Sequence, residues 1–288
     1  MDKRIKLIVD SSVDLPQEFL REKDVHIMHY RVTIGGKSYR DGVDIDTIGL
    51  FGLIDENKQL PKTSAMSPFE IEECFNMYAK EYGSIIYIGL GSGFSSNHQS
   101  VLIASSNFDN VYPIDSMNLS GGTGLLVLKI IKFIEEGKMS ALEIKEEIER
   151  IAPLVRCQFC VDTLKYLHMG GRCKSTTKYI ASALRIKPII AVRDGKMEIT
   201  KKPIGYKKAL DIMLNDIIDQ KDNVDLDHIL VTHPWADSDA VYLKRELSKY
   251  FDKSIIMETR AGGTVATHCG PRTIGVLYIL KELKEKEV

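Results

Sequence analysis

The stretch IYIGLGSGFSSNHQSVLIAS, residues 86–105, decides the fold class of this chain. It starts with apolar and β-prone residues, breaks into glycines and serines, and then resumes in a helical pattern. A strand that enters a short Gly/Ser turn and then a helix is the basic unit of α/β proteins. The turn also raises the question of function, because its serines either attack a substrate or hold a ligand that does not react.

The same alternation extends through the first half of the chain. Strands are predicted at residues 5–9, 84–90 and 111–115, where apolar runs end in small or polar residues. Longer amphipathic segments lie between these runs. The pattern predicts a parallel, Rossmann-like sheet in an N-terminal α/β domain that spans residues 1–153.

The helices of this half have recognisable starting signals. Ser67 and Glu70 form a capping box, with a proline at the first helical position. A second helix is predicted to begin near Ser95 or Ser96, and a third is predicted to begin near Gly122.

The second half of the chain indicates a different arrangement. An Asp-Gly pair at residues 194–195 predicts a hairpin, and further strands are predicted at residues 228–233 and 254–259. A final helix is expected after Pro271. We therefore expect a C-terminal α+β domain with a mixed sheet over residues 154–288, and a ligand site in the cleft between the two domains.

Composition limits the classes of function. The chain has 288 residues, with 39 Lys and Arg against 40 Asp and Glu. Because these charges nearly cancel, the protein has no strong positive electrostatic field that would favour a nucleic-acid partner. It has no stretch near the ~20 apolar residues that span a bilayer, and its amino terminus lacks a secretory apolar core. Five cysteines in a chain with a large core suit a reducing compartment, so a cytoplasmic location is expected.

Two cysteines have a spacing that deserves a chemical test. Cys157 and Cys160 are spaced like a redox pair or half of a zinc site, but no second pair follows at zinc spacing. Seven histidines are scattered without a metal-binding pattern. We therefore expect the two thiols to pack inside a strand, and we expect neither a metal nor a cofactor.

The serines of the turn do not match the motifs of known nucleophiles. A nucleophile elbow, G-x-S-x-G, requires glycine two residues before and two residues after the serine. Ser92 has Leu90 and Phe94 at these positions, and Ser95 has Gly93 but then Asn97. The phosphate-binding loop and the third glycine of a dinucleotide fingerprint are also missing. A serine hydrolase with Ser92 or Ser95 as nucleophile and His98 or His268 as base is kept as one alternative.

A strand that runs into a helix N-terminus suits the binding of a small anion, because free N–H groups and the helix dipole favour negative charge. Thr63 and Ser64 are predicted in a short loop before the capped helix, and His268 in a glycine-rich loop before the last helix. Such loops can converge in one cleft. A small-anion or nucleotide-binding regulator is the second alternative, and a simple capping role for Ser95 and Ser96 also stays open.

Eight motifs, taken in order along the chain, resemble the DegV family of fatty-acid-binding proteins. They are VDSSVDLP, PKTSAMSP, SGFSSNHQS, DSMNLSGGTG, DTLKYLHMGGR, IKPII, KKPIGYKKAL and HCGPRTIG. The resemblance covers essentially the whole chain. It implies two α/β domains with a long-chain fatty acid in a tunnel between them.

The resemblance also implies a function without catalysis. Such bacterial proteins act as the lipid-binding subunit of a fatty acid kinase and present the acid to a separate ATP-binding subunit similar to dihydroxyacetone kinase, which makes the acyl phosphate. On this resemblance the chain is a carrier, with the fatty acid as ligand and that kinase subunit as partner. The basic segment at residues 201–208 is then ordinary surface, or a docking face for the kinase subunit or for transient contact with a membrane.

Site residues follow from the resemblance one at a time. The threonine of the family's P-x-T-S motif, which contacts the fatty acid carboxylate, falls on Thr63, with Ser64 beside it. The ligand serine of the family falls on Ser95, with Ser96 next to it. The histidine of H-x-G-P-G falls on His268, and the arginine that closes G-G-R falls on Arg172.

Two segments of the chain depart from the family pattern. Ser96-Asn97-His98 stands where Gly-Thr-Tyr is usual, which puts the hydrogen bonds at the head group in question. Arg272 stands where glycine is usual, and a positive charge is therefore expected at the mouth of the tunnel. The apolar residues considered for the tunnel or for the ordinary core are Ile86, Ile88, Phe94, Leu125, Ile189, Ile190 and Met257.

Overall fold

The computed structural model describes residues 4–173 and 186–283. Its strands, in chain order, are β1 (Ile5–Asp10), β2 (His26–Met28), β3 (Arg31–Ile34), β4 (Lys37–Arg40), β5 (Lys62–Ser64), β6 (Ser84–Ile88), β7 (Val111–Ile114), β8 (Val155–Cys160), β9 (Ile189–Arg193), β10 (Lys196–Lys201), β11 (Val224–His233), β12 (Ile256–Arg260) and β13 (Ile274–Leu280). Its α-helices are α1 (Gln17–Glu22), α2 (Thr47–Asn57), α3 (Pro68–Tyr78), α4 (Asn97–Ser105), α5 (Gly121–Glu136), α6 (Ala141–Ile151), α7 (Lys165–Gly170), α8 (Tyr206–Ile218), α9 (Asp237–Leu247) and α10 (Gly263–Cys269). Within the described ranges, no helix is both long enough and apolar enough to cross a bilayer.

The first sheet is parallel, as the sequence predicts. Its strand order is β2-β1-β6-β7, and every pair of neighbours runs in parallel. Helices α3 and α4 cover one face, and α5 and α6 cover the other. Burial on both faces explains why β1 and β6 are continuous apolar runs in the sequence.

The predicted helix starts in this half are confirmed. Ser67 precedes α3 and forms a complete capping box with Glu70. Helix α4 begins at Asn97, directly after Ser96, and α5 begins at Gly121.

The second sheet is mixed, as expected, with the strand order β10-β9-β8-β13-β11-β12. Strands β11 and β12 pair in parallel, and the other neighbours are antiparallel. The predicted hairpin joins β9 to β10. Its turn residues Asp194 and Gly195 have φ of 47° and 68°, the positive values that a tight two-residue turn needs. Cys157 and Cys160 are buried in β8.

The prediction of a final helix after Pro271 is wrong. Residues Ile274–Leu280 form β13, which lies between β8 and β11 inside the mixed sheet. All of them are buried, because both faces of the sheet are covered at this position. A continuous apolar run has no strand period that would distinguish it from a buried helix. The helix in this region is α10, before Pro271, and it contains His268, which was expected in a loop.

Thr63 and Ser64 lie in a strand rather than in the predicted loop. They belong to β5, the third strand of a small antiparallel sheet ordered β4-β3-β5, in which Thr63 pairs with Val32. A strand of three polar residues carries no periodic pattern, so the sequence did not indicate this sheet.

Helix α5 packs between the two larger sheets. Its first half is buried on all sides, against β1 of the parallel sheet and against β8, β11 and β13 of the mixed sheet. A side chain at Gly121 would collide with Thr232 in β11, and a Cβ at Gly124 would lie 2.7 Å from the carbonyl oxygen of Val13. The glycines of the GGTG sequence therefore allow one helix to approach two sheets closely.

The predicted domain division at residues 153 and 154 falls between α6 and β8, and so it separates the strands of the two larger sheets. The core around α5, however, contains side chains from both sheets. The division into domains 1–153 and 154–288 stays a prediction.

Candidate functional site

A cavity of about 190 Å³ lies where the two larger sheets meet. Its wall is mostly apolar, and its volume exceeds the ~150 Å³ of an apolar cavity that stays dry and binds benzene. Five of the predicted site residues line this one wall: Thr63, Ser95, Ser96, Arg172 and His268. The wall also contains Tyr30, Leu119, Phe159, Leu167, Met197 and Thr264.

The Gly/Ser turn between β6 and α4 is held by two carboxylates. The backbone N–H of Leu90 donates to buried Asp10 at 2.9 Å. Ser92 donates to Asp115 through its backbone N–H at 3.0 Å and through its hydroxyl at 2.5 Å. Ser92 therefore fixes the shape of the turn and does not belong to the cavity wall.

The tip of the same turn meets the β9–β10 hairpin. A Cβ at Gly93 would collide with the carbonyl oxygen of Gly195. Gly93 and Gly195, which are 102 positions apart in the chain, thus approach each other through their main chains. This contact closes the junction of the two larger sheets next to the cavity.

Ser95 contributes a hydroxyl with a free proton. Its Oγ accepts hydrogen bonds from the backbone N–H of Asn97 at 3.1 Å and from the hydroxyl of Tyr30 at 3.4 Å. The proton of Ser95 itself has no acceptor in the part of the chain that the structure describes. Ser95 caps α4 and faces the cavity at the same time, whereas exposed Ser96 makes no side-chain capping bond.

Thr63 and His268 form the second polar part of the wall, with Thr63 Oγ1 lying 2.9 Å from His268 Nε2. The other ring nitrogen, Nδ1, is buried without a partner among the described residues, and a Cβ at Gly170 would collide with it. Because an unpaired buried N–H is rarer in proteins than an unpaired acceptor, we assign the proton to Nε2. His268 then donates to Thr63, and the proton of the Thr63 hydroxyl is free for a ligand.

Ser64 does not take part in this wall. It is exposed, and it does not line the cavity, because neighbouring side chains of a strand point to opposite faces.

His268 is neutral near pH 7, because burial lowers its pKa from 6.5 to about 4 and the positive charge of Arg172 adds to this effect. Arg172 donates to the carbonyl oxygens of Gly170 at 2.6 Å and Phe94 at 3.5 Å. These contacts hold the guanidinium between the end of α7 and the Gly/Ser turn.

Thr264, which the sequence reasoning missed, adds a third hydroxyl to the wall. It is 3% exposed, and its Oγ1 has no hydrogen-bond partner in the described ranges. It precedes His268 by four residues in α10, a spacing that places two side chains on one face of a helix. The sequence contains this spacing, but it becomes informative only when the segment is known to be helical.

The N-terminus of α10 is occupied by the protein's own carboxylates. Asp41 accepts from the backbone N–H groups of Gly263 at 2.7 Å and Thr264 at 3.0 Å. Asp14 accepts from Gly262 at 2.8 Å. The backbone N–H groups at the start of this helix are therefore not available to an anion, and the donor that its first turn offers to the cavity is the hydroxyl of Thr264.

The pairings expected for a serine hydrolase are not formed among the described residues. Ser92 donates directly to Asp115, and Ser95 has no histidine partner. His268 contacts Thr63, no carboxylate orients its other nitrogen, and its low pKa makes it a weak base near pH 7.

Another group in the described ranges, His233 with Asp237 and Glu258, has the composition of a metal site. His233 Nδ1 accepts from the backbone N–H of Ala236 at 3.0 Å, so the proton lies on Nε2, which is 3.2 Å from Glu258. A neutral imidazole engaged at both nitrogens offers no lone pair to a metal ion. Both carboxylates also form ion pairs with basic side chains.

Arg272 and most of the apolar residues considered for the tunnel lie outside the cavity wall. Arg272 pairs with Asp239 at 3.2 Å, lies over the ring of Tyr206 at 4.1 Å and does not line the cavity wall, so a charge from this residue at the mouth stays a prediction. Of the apolar residues, Phe94 lines the cavity, and the rest belong to the core or pack against it.

Comparison with protein families and known sequences gives consistent results. The model of the DegV family, which is described as a family of uncharacterised proteins, matches residues 4–281. A DegV domain-containing protein of Clostridium acetobutylicum is 36% identical over 283 residues, which cover 97% of this chain and 99% of the relative.

Solved structures with the same fold are also similar in sequence. A DegV family protein from Thermus thermophilus, described by its fatty acid binding, has a TM-score of 0.89 at 26% identity, with 96% of this chain and 99% of that chain covered. DegV of Bacillus subtilis, described as a fatty acid binding protein, has a TM-score of 0.87 at 26% identity, with 97% and 100% covered. These likenesses confirm the α/β fold with one parallel and one mixed sheet.

Proposed function

The chain belongs to the DegV family, and we propose that it binds a long-chain fatty acid with the carboxylate held by Thr63, Ser95 and Thr264. The observation that carries this proposal is the presence of three hydroxyl groups in one cavity wall, each with a proton that lacks an acceptor among the described residues. A carboxylate offers about four acceptor positions on its two oxygens. Three neutral donors would replace much of the hydration that a buried charge loses.

The remainder of the cavity wall suits an acyl chain. Leu119, Phe159, Leu167 and Met197 line it. At ~0.8 kcal/mol per buried methylene, a chain of ~15 methylenes contributes on the order of 12 kcal/mol before the ligand's loss of freedom is subtracted. The descriptions of the solved Thermus thermophilus and Bacillus subtilis relatives as fatty acid binders support the same class of ligand here.

We propose further that the chain is a non-catalytic carrier that presents the carboxylate to a separate ATP-dependent kinase subunit, which forms the acyl phosphate. Hydroxyl donors leave a carboxylate nucleophilic, whereas a bidentate arginine would mask it. Arg172 already donates to two backbone carbonyl groups, and His268 is too weakly basic to act as a general base near pH 7. Both observations support binding and presentation rather than chemistry within this chain.

The basic segment at residues 201–208 is the proposed docking face for the kinase subunit, and a transient membrane contact of a cytoplasmic carrier is the alternative use. Lys201 pairs with Asp216 at 2.5 Å, and Lys207 pairs with Asp211. Exposed Lys208 is the better position for a test. The change Lys208→Glu is expected to weaken capture of the kinase subunit in a pull-down, and unchanged capture would identify the segment as ordinary surface.

Native mass spectrometry of the purified protein tests the proposed ligand. We expect a bound mass that corresponds to a long-chain fatty acid and that leaves after delipidation. A bound nucleotide would instead support the regulator, and covalent labelling by a fluorophosphonate would support the hydrolase. Incubation with ATP and the kinase subunit should then give an acyl phosphate that hydroxylamine traps as a hydroxamate.

A further inference from the structure

Asn97, one of the residues that depart from the family pattern, lies between the two parts of the polar wall. It is the first residue of α4 and is 1% exposed. Its Oδ1 accepts from the backbone N–H of Met66 at 3.2 Å, and its Nδ2 donates to the hydroxyl of Tyr87 at 2.8 Å. A single buried side chain therefore connects the segment after β5 with the segment after β6.

The direction of every hydrogen bond in this chain of contacts is fixed. The N–H of Met66 can only donate, so Oδ1 of Asn97 must face it and Nδ2 must face Tyr87. The Tyr87 hydroxyl accepts from Asn97, and it donates to the buried carboxylate of Asp10 at 3.2 Å. Because each polar group has one allowed role, the arrangement resists displacement of either segment.

The two connected segments carry two of the hydroxyls that the proposed function uses. The backbone N–H of Asn97 donates to Ser95 Oγ at 3.1 Å, and Met66 follows Thr63 by three residues. We propose that Asn97 is a positioning residue that sets the separation of the Thr63 and Ser95 hydroxyls, and that it thereby selects a carboxylate over an uncharged head group. This inference rests on the proposed function.

The physical reason is that a carboxylate and an alcohol place different demands on the wall. A buried carboxylate needs several donors at hydrogen-bond distance at the same time, since each missing donor leaves charge without compensation. A fatty alcohol needs one partner and tolerates a shift of the others. Loss of Asn97 should therefore reduce the affinity for the acid and leave the affinity for the alcohol nearly unchanged.

The experiment compares the apparent Kd of palmitic acid with that of 1-hexadecanol for wild type and variants of the full chain. Asn97→Leu removes both side-chain hydrogen bonds and keeps the branching and the number of non-hydrogen atoms, and it should lower the preference for the acid over the alcohol about tenfold. Tyr87→Phe removes one oxygen from the same network while keeping the ring. Tyr87→Phe should lower the preference for the acid over the alcohol by a few-fold. If Asn97→Leu does not fold, this second variant still tests the proposal.

The matched control is Asn110→Leu. Asn110 is partly buried, and its Nδ2 lies within 3.3 to 3.4 Å of three backbone carbonyl oxygens, but it precedes β7 at the opposite end of the parallel sheet. This variant should lower the melting temperature without changing the preference for the acid. If Asn97→Leu acted only through a general loss of stability, it too would lower the melting temperature and leave the preference for the acid unchanged.

Two unfavourable outcomes are distinguishable. If wild type binds the acid no better than the alcohol, the proposed carboxylate site is wrong. If wild type prefers the acid and folded Asn97→Leu or Tyr87→Phe keeps the full preference, the role of Asn97 is overturned and the proposed function stands.

Discussion

Thr63 Oγ1 and His268 Nε2 lie 2.9 Å apart, although 205 residues separate them in the chain. This contact joins the edge of the small antiparallel sheet to helix α10. It brings a strand hydroxyl and a neutral imidazole into one cavity wall. Substitutions in this wall can test which of its groups donate hydrogen bonds to a ligand.

Removal of a single hydroxyl should weaken the binding of a fatty acid. Thr63→Val and Ser95→Ala each delete a donor to the carboxylate, so each should reduce the binding free energy by roughly 1.5 to 3 kcal/mol. Isothermal titration with palmitic acid measures the loss. Ser64→Ala is the control, because Ser64 is the exposed neighbour outside the wall. Equal affinities for all three variants would contradict the assignment of the donors.

The pH dependence of stability should contain a contribution from His268. Its pKa is lowered to about 4 in the folded chain against about 6.5 when unfolded, so between these values the unfolded chain binds the additional proton. The free energy of unfolding should therefore fall as the pH drops below 6.5, by at most about 1.4 kcal/mol per pH unit from this group.

Urea unfolding of wild type and His268→Gln between pH 7 and pH 4.5 isolates this contribution, since the other histidines are common to both proteins. Wild type should lose stability more steeply than the variant. Parallel curves would show that His268 titrates normally in the folded protein.

A methyl group at Gly170 should disturb the same contact from the other side of the ring. A Cβ there collides with His268 Nδ1, so Gly170→Ala should displace the imidazole and weaken the binding of the acid about tenfold. Gly171→Ala is the matched control, because a Cβ at Gly171 meets no atom within 4 Å even though its φ of 68° makes alanine strained. That control should lose stability but keep its affinity for the acid.

Enlarging Gly93 should destabilise the junction of the two larger sheets. A Cβ at this position collides with the carbonyl oxygen of Gly195, so Gly93→Ala should reduce the free energy of unfolding by roughly 1 to 3 kcal/mol. Gly52→Ala, in the exposed interior of α2 with no atom within 4 Å, should instead stabilise the protein by roughly 0.5 to 1 kcal/mol. Chemical denaturation of both variants provides the comparison.

The parts of the fold that were predictable have strong local patterns. The strands of the parallel sheet end at small or polar residues, and the start of α3 is encoded by a capping box between Ser67 and Glu70. The helix expected after Pro271 failed because the apolar run of β13 is buried on both faces and so has no period. Strand β5 was missed because three polar residues show a strand only through their pairing with β3.

The candidate site was predictable only in part, for a related reason. Family motifs brought Thr63, Ser95 and His268 to attention, but they could not show that His268 donates to Thr63. Thr264 lacked any local motif, and the role of Asn97 depends on partners 31 and 10 residues away. Contacts of that kind are created by the fold and leave no short pattern in the sequence.

The main-chain contact of Gly93 with Gly195 has a consequence for large-scale mutagenesis. Every other residue type at position 93 adds a Cβ, so polar and apolar substitutions should all be destabilising there. An essential ligand-binding residue often shows the same general intolerance of substitution. Gly195, with open space and a φ of 68°, should accept asparagine or aspartate. Intolerance of every side chain, alanine included, would identify a structural role for position 93, even though the next residue, Phe94, lines the cavity.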